Sequence, residues 1–329
     1  MTDPLVLPAG DALTIGIDIG GTKVAAGLVD AAGTVLSQCE EPTPSSSPEA
    51  VLDVVTAVVA RLRAAATAGD LEVIAVGVGA AGFVDVARAT VLFAPNLAWR
   101  QEPLRDGIAA RVGLPVVVEN DANAMAWGEY RFGAGRGAAD LVCVTVGTGI
   151  GGGIVLNGQL HRGTFGVAGE VGHLRVVPDG RLCGCGNHGC WEQYCSGRVL
   201  AREARDRLRA APESAGALLQ LAGGNPEAVT GRIVTAAAQA GDPVALECFD
   251  TVGRWLGQGL ADLAAILDPE RFVVGGGVIQ AGSLLLDPAS RAYADALTGS
   301  RYRPRAGIVP ARLGPVAGMV GAADLARLA

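Results

Sequence analysis

The chain has 329 residues, half of them hydrophobic, and its 33 acidic and 26 basic side chains leave a formal charge of −7. That length suits two domains sharing a cleft, and the apolar content excludes a disordered chain. The acidic balance and the 4% of aromatic residues argue against a basic or base-stacking surface for nucleic acid.

Residues 13–29 (LTIGIDIGGTKVAAGLV) predict two strands joined by a tight Gly-Gly-Thr turn, and 30–38 a turn and a third strand. Pro42 to Pro48 reads as a polar loop, followed by an amphipathic helix over 49–66 with Ser47 as its cap. Strands are expected over 72–79 and 115–119, and helices over 107–113 and 122–132. Residues 141–160 again read as strand, Gly-rich turn, strand. Beyond about Gly197 the periodicity is helical over 198–222, 228–240 and 243–267. A strand at 271–278 and a last helix at 317–327 complete the chain. Segments 15–29 and 142–156 share one strand–turn–strand pattern, which suggests two related α/β halves facing each other.

No apolar run is long enough to predict a transmembrane span. Met1 to Ala12 carries Asp3 and Asp11 and no basic residue, unlike a secretory signal. The expected location is the cytoplasm, where seven cysteines point to reduced thiols or a metal rather than disulfides.

Three glycine clusters sit at strand ends. In Asp18-Ile19-Gly20-Gly21-Thr22-Lys23 the glycines let backbone N–H groups approach an anion, Thr22 adds a hydroxyl and Lys23, the only lysine, a point charge. Asp18 would repel phosphate directly, so its role there is to hold Mg²⁺. A plain glycine hairpin explains the same segment. Thr148 and Gly149 lie in a second turn, VGTGIGGG at 146–153, which lacks the Lys of a Walker loop and the βαβ setting of a dinucleotide fingerprint. Gly275, Gly276 and Gly277 form the third. Together they fit a nucleotide lying in a cleft between two α/β halves.

Val116-Val117-Val118-Glu119-Asn120-Asp121 runs a strand into polar residues before a helix. An aspartate at that place can take a proton from a substrate hydroxyl, although Asn and Asp are also favoured helix caps. Four of the seven cysteines fall within residues 183–195, behind His173, which suits a tetrahedral zinc site. Cys183, Cys185 and Cys190 form its core, with His173, His188 or Cys195 as fourth ligand. No water-activating residue stands inside the cluster, so the ion is expected to be structural. Glu170 and Glu192 flank it; as surface charges they are unremarkable, but a pinned loop would gather them where carboxylates can accept from sugar hydroxyls.

In combination, DIGGTK at 18–23, END at 119–121, VGTGIGGGIVLNGQLHRG at 146–163, EVGH at 170–173, CGCGNHGCWE at 183–192 and VVGGG at 273–277 resemble the ROK family of sugar kinases and repressors over nearly the whole chain. The similarity is strongest to ATP-dependent glucokinases of the actinobacterial type, FAPNLAWRQEPL at 93–104 included.

The resemblance implies an α/β chain with the actin-like ATPase (ribonuclease H-like) fold, two domains around a central cleft and ATP–Mg²⁺ between them. The small domain would comprise residues 12–121 plus a C-terminal helix at about 315–329, and the large one 122–314 with the zinc loop. It implies phosphorylation of D-glucose at its 6-hydroxyl with Asp121 as base. Sugar contacts would come from Gly79, Asn96, Asn120, Asp121, Glu170, His173 and Glu192, and zinc from His173, Cys183, Cys185 and Cys190. A homodimer or homotetramer is implied. GVGAAGFVD at 77–85 departs from the commoner proline-containing loop. Within the family, N-acetylmannosamine or fructose as acceptor and polyphosphate as donor are the alternatives. A repressor would need an N-terminal helix-turn-helix before the first strand, where only about a dozen residues stand. An inactive zinc-binding scaffold would have no need of Asp121 and intact phosphate turns.

Overall fold

Residues Leu13 to Val29 are mostly apolar on both sides of the Gly-Gly-Thr corner, with Thr14, Asp18 and Lys23 as the polar exceptions, and fold as a largely buried hairpin. Its strands are β1 (Leu13–Ile19) and β2 (Lys23–Val29), and β3 (Val35–Pro42) extends it antiparallel to β2. The computed structural model describes residues 12–44, 47–94, 97, 99–211 and 216–329. In α1 (Pro48–Thr67) the Ser47 hydroxyl accepts the Ala50 N–H at 3.2 Å, and Pro48 sits in the first turn, where its missing N–H costs nothing. Val51, Val55, Val58, Val59 and Leu62 bury one face of it.

The chain continues through β4 (Val73–Ala80), a small antiparallel sheet of β5 (Phe83–Val84), β6 (Val91–Phe93) and β7 (Arg100–Glu102), and α2 (Leu104–Val112). Then come β8 (Val116–Asn120) and α3 (Asp121–Phe132). The first large sheet has the order β3-β2-β1-β4-β8, with β4 parallel to β1 and β8 parallel to β4.

The second large sheet uses β9 (Leu141–Val146), β10 (Ile150–Leu156), β11 (Gln159–Leu160), β12 (Arg271–Gly275) and β13 (Gly307–Pro310), ordered β11-β10-β9-β12-β13. It repeats the first: a leading strand–turn–strand, whose first strand pairs in parallel with a later one, β9 with β12 as β1 with β4. The similarity of segments 15–29 and 142–156 is thus a similarity of topology. The helices are α4 (Gly197–Ala210), α5 (Ala217–Leu221), α6 (Gly231–Gln239), α7 (Pro243–Leu267), α8 (Ser283–Ala296) and α9 (Ala317–Arg327).

Contacts divide the chain into two compact units. The first comprises the chain to Gly137, Gly153–Gly169 and Arg312–Ala329; the second comprises Ala138–Gly152 and Glu170–Ala311. The division falls after α3, whereas the sequence reading placed it at Asp121. α3 lies along α9, and glycines bring these helices and the sheet to backbone distance. A Cβ on Gly16, Gly77 or Gly321 would overlap the carbonyl of Met319, Ala322 or Ala124. In the second unit, α7 packs on α8 in the same way, Gly253 and Gly257 meeting Pro288 and Ala289. Among the described residues no helix is long and apolar enough to cross a membrane.

Candidate active site

The first unit gathers its polar residues at the carboxyl ends of three neighbouring parallel strands, where open α/β sheets bind ligands. Asp18 on β1 stands opposite Gly79 on β4, and Gly79 opposite Glu119 on β8. A Cβ on Gly79 would touch the Asp121 Cα at 3.6 Å, so the glycine lies directly beside the helix start. Asn120, not Asp121, caps α3: its Oδ1 accepts the Asn123 N–H at 3.0 Å, and its Nδ2 donates to the Gly82 carbonyl at 3.1 Å. Asp121 is left in the first helical turn, its Oδ1 accepting the Ala122 N–H at 2.9 Å.

Burial raises the Asp121 carboxyl above the ordinary aspartate range, against the opposing pull of those hydrogen bonds. Burial, and after it the charge of Asp121, pushes Asp18 up to about 7, with Lys23 acting the other way. At the β1–β2 turn, the Gly20 N–H donates to the Lys23 carbonyl at 3.0 Å, and Thr43 Oγ1 donates to the Gly20 carbonyl at 2.8 Å. Gly20 is outside the left-handed region, and a Cβ there would meet only the Lys23 carbonyl, at 3.5 Å. The backbone conformation therefore does not require glycine at this position; close approach of a ligand would. Lys23 itself places Nζ 2.5 Å from the Glu40 carboxylate.

Behind Asn120 and Asp121 lies a charged cluster that sequence reasoning missed. Glu119 is 1% exposed and meets Arg88 Nε at 3.1 Å and Arg162 Nε at 2.7 Å. Its other oxygen accepts the Asn120 N–H at 2.9 Å and Asn123 Nδ2 at 3.2 Å. The only local signal was an acid ending an apolar strand, which reads equally as a surface charge. Its arginine partners lie 31 and 43 residues away in sequence, beyond any local pattern.

The second unit places Thr148 and Gly149 after β9, and Gly275, Gly276 and Gly277 at the end of the adjacent β12, with Thr145 opposite Gly275. Gly276 has φ +85°, and a Cβ on it would press into the Val146 backbone; Gly277 faces open space. A cavity of about 950 Å³ opens here, lined by Gly147, Thr148, Arg198, Gly277 and the starts of α4 and α6. Arg198 Nε donates to the Thr148 carbonyl at 2.9 Å.

His173, Cys183, Cys185 and Cys190 converge in the same unit, with one donor atom from each lying within 4.8 Å of the others. Cys185 Sγ is 3.6 Å from Cys190 Sγ, and Cys183 Sγ is 3.6 Å from His173 Nδ1. A tetrahedral zinc with ordinary bond lengths separates such ligands by about 3.6–3.8 Å. The other two candidates lie elsewhere. His188 Nδ1 faces the Gly180 carbonyl at 2.9 Å, and the Cys195 thiol is fully buried, its pKa pushed up by that burial.

The loop is anchored by Trp191, wholly buried, whose Nε1 donates to the Trp255 carbonyl on α7 at 2.8 Å. Glu192 sits beside the cluster, its Oε1 accepting from Cys183 Sγ at 3.0 Å. Its other oxygen occupies the space a side chain on Gly149 would need. Glu170 Oε2 lies 4.0 Å from His173 Nε2, the ring nitrogen turned away from Cys183. Glu170 and Glu192 thus each lie beside one member of the cluster, Glu170 near His173 and Glu192 near Cys183. Asn96 lies outside the described residues.

The sequence model of the ROK family matches residues 14–329. A glucokinase of Streptomyces coelicolor is 54% identical, over 96% of this chain and 98% of its own. An N-acetylmannosamine kinase of Escherichia coli O127:H6 is 35% identical, over 91% and 97%. Among solved structures, a ROK family glucokinase of Streptomyces griseus in complex with glucose and AMPPNP is 55% identical; the match covers 97% of this chain and all of that one, with a TM-score of 0.88.

Proposed function

The chain belongs to the ROK family and has the actin-like ATPase fold, and from that premise we propose that it transfers the terminal phosphoryl group of ATP to D-glucose, yielding ADP and glucose 6-phosphate. The observation that carries the chemistry is Asp121. It stands at the end of β8, released from capping by Asn120 and buried enough to hold a proton more firmly than a surface aspartate. In this reading it accepts the proton of the 6-hydroxyl late, as the oxygen bonds to phosphorus. Little covalent chemistry remains for the protein; the rest is positioning and charge stabilisation.

The other roles follow the two units. The turn Gly20-Gly21-Thr22-Lys23 and the segments Thr148-Gly149 and Gly275–Gly277 receive the donor. Gly79, Asn96, Asn120, Glu170, His173 and Glu192 receive the sugar. Asp18 fits a role toward Mg²⁺: a buried carboxyl whose proton affinity is raised by a second carboxyl is what a divalent cation relieves. Bound with ATP, Mg²⁺ would neutralise charge on the phosphate oxygens.

The spacing of His173, Cys183, Cys185 and Cys190 fits zinc with four protein ligands and no open position, hence a structural ion. His173 would bind it through Nδ1 and keep Nε2–H for the sugar side. The thiolate cluster suits a reducing compartment, the cytoplasm. The assembly we propose is a homodimer or homotetramer, which light scattering reads directly.

A coupled ADP-release assay over a panel of hexoses and N-acetylhexosamines, with ATP and polyphosphate compared as donors, tests the reading. Glucose with ATP is expected to give the highest kcat/KM. A preference for N-acetylmannosamine would overturn the acceptor, a preference for polyphosphate the donor, and inactivity with every pair the reaction itself.

A further inference from the structure

The first phosphate turn has little free positive charge, because Lys23 is paired with Glu40. The cavity of the second unit is different. Its lining carries Arg198, Arg205 and Arg232 and, among the described residues, no carboxylate. Arg205 is committed to the protein, its Nε and Nη2 both donating to the Val229 carbonyl, at 3.1 and 2.7 Å. Arg198 is exposed and makes no ion pair among the described residues. Its Nε–H is fixed on the Thr148 carbonyl, which leaves the two terminal nitrogens for another partner.

Arg198 is also the second residue of α4, after the Ser196 cap and Gly197. A cation there opposes the helix dipole, whose amino end is itself positive. The Glu192 carboxylate lies beside the same Gly149 position as Arg198 Nη2, but among the described residues the two form no ion pair. A guanidinium held against the phosphate turn, in a cavity lined by arginines, glycines and neutral threonine, glutamine and small apolar side chains, is satisfied by an anion with several oxygens, which its planar fork can grip.

We propose that Arg198 is a donor-binding residue, whose guanidinium contacts the phosphate chain of the nucleotide and sets the preference for ATP over less charged nucleotides. The proposal rests on the donor reading given above. It is tested by calorimetric titration of the full-length protein with AMP, ADP and ATP in the presence of Mg²⁺, comparing wild type with Arg198→Met and Arg198→Lys.

Loss of a charged hydrogen-bonding partner should weaken ATP binding about tenfold or more in Arg198→Met. ADP should lose less, and AMP should stay within about twofold. Arg198→Lys keeps the charge and lacks the Nε bond to Thr148, so it should recover part of the ATP affinity. Equal losses for AMP and ATP, or a lysine variant as weak as the methionine one, would mean that Arg198 only shapes the turn through Thr148, and the proposal falls. It falls also if neither variant loses ATP affinity. Wild-type protein that binds no ATP and phosphorylates no sugar would instead remove the donor reading on which it rests.

Discussion

At the scale of single residues, the corner after β8 separates two tasks that the sequence left competing for Asp121. A cap must spend its side-chain oxygens on the helix N–H groups, and a base must keep one for the substrate. Asn120 takes the first task, and in the proposed reaction Asp121 takes the second with the oxygen not bonded to the Ala122 N–H. Asp121→Asn should therefore fold normally and bind glucose, yet lose about two or more decades in kcat. A kcat within a factor of three of wild type would remove Asp121 as the base.

The base must be ionised, and burial raises its proton affinity. The acid limb of kcat/KM should accordingly lie above the ordinary aspartate range and shift when the burial is relieved. Asp18 gives a separate, thermodynamic signal. Its folded pKa of about 7 lies above the ordinary 3.8, so between those values the folded state holds a proton that the unfolded chain has released. Its contribution to stability is complete below about pH 4 and is lost as pH rises through 7. Without divalent cation, the melting temperature should fall across that window in the wild type and fall less in Asp18→Asn. Parallel slopes in the two proteins would refute the assignment.

At the scale of elements, the sequence was most legible where one local pattern determines the structure. The β1–β2 hairpin, α1 with its Ser47 cap, β4, β8, α3 and α9 all fall within a few residues of their expected places, because apolar periodicity and turn residues are local signals. The strands of the small sheet are only two or three residues long, too short for any period. α8 carries Pro288 inside it, which argues against a helix until its packing on α7 is known. The expected helix 198–222 divides: α4 ends at Ala210 and α5 begins at Ala217. Pro212, next but one in the chain, has no N–H to continue the ladder.

The site shows the same split. Glycine turns and clustered cysteines are visible in a line of sequence, whereas the Glu119–Arg88–Arg162 cluster exists only after folding. So does the backbone packing of α9. The carbonyl of Ala322 occupies the place a Cβ on Gly77 would take, and carbonyl oxygens cannot move without moving the helix. Gly77→Ala should cost about 1–3 kcal/mol or more, read as a drop in the urea midpoint with unchanged slope. Stability equal to wild type would show that α9 can shift freely.

At the scale of the whole molecule, the two units repeat one topology but are stabilised differently. The first has a glycine-tight helix–sheet core in which the buried apolar residues of β1, β4 and α1 join one cluster. The second has a loop, residues 181–190, whose sequence is mostly glycine, cysteine and exposed polar groups. Such a loop buries too little apolar surface to order itself, and a metal that binds only the folded loop adds its binding free energy to folding. Trp191 fixes one end of it on α7, and Glu192, the next residue, lies against both Cys183 and the Gly149 turn.

Zinc loss should therefore propagate along a short route, from the thiolates to Glu192 and so to the sugar. Cys185→Ser should bind less than one zinc per chain and show a KM for glucose raised about tenfold, given the loss of a charged hydrogen-bonding group from the sugar's reach. Amide exchange should quicken over 181–193 while the amides of β1 and β4 keep their wild-type protection, because the two cores are built from separate residues. A demonstrably metal-free variant with wild-type KM would break the link between the cluster and sugar binding. Uniformly faster exchange in both units would show instead that the ion stabilises the fold at large.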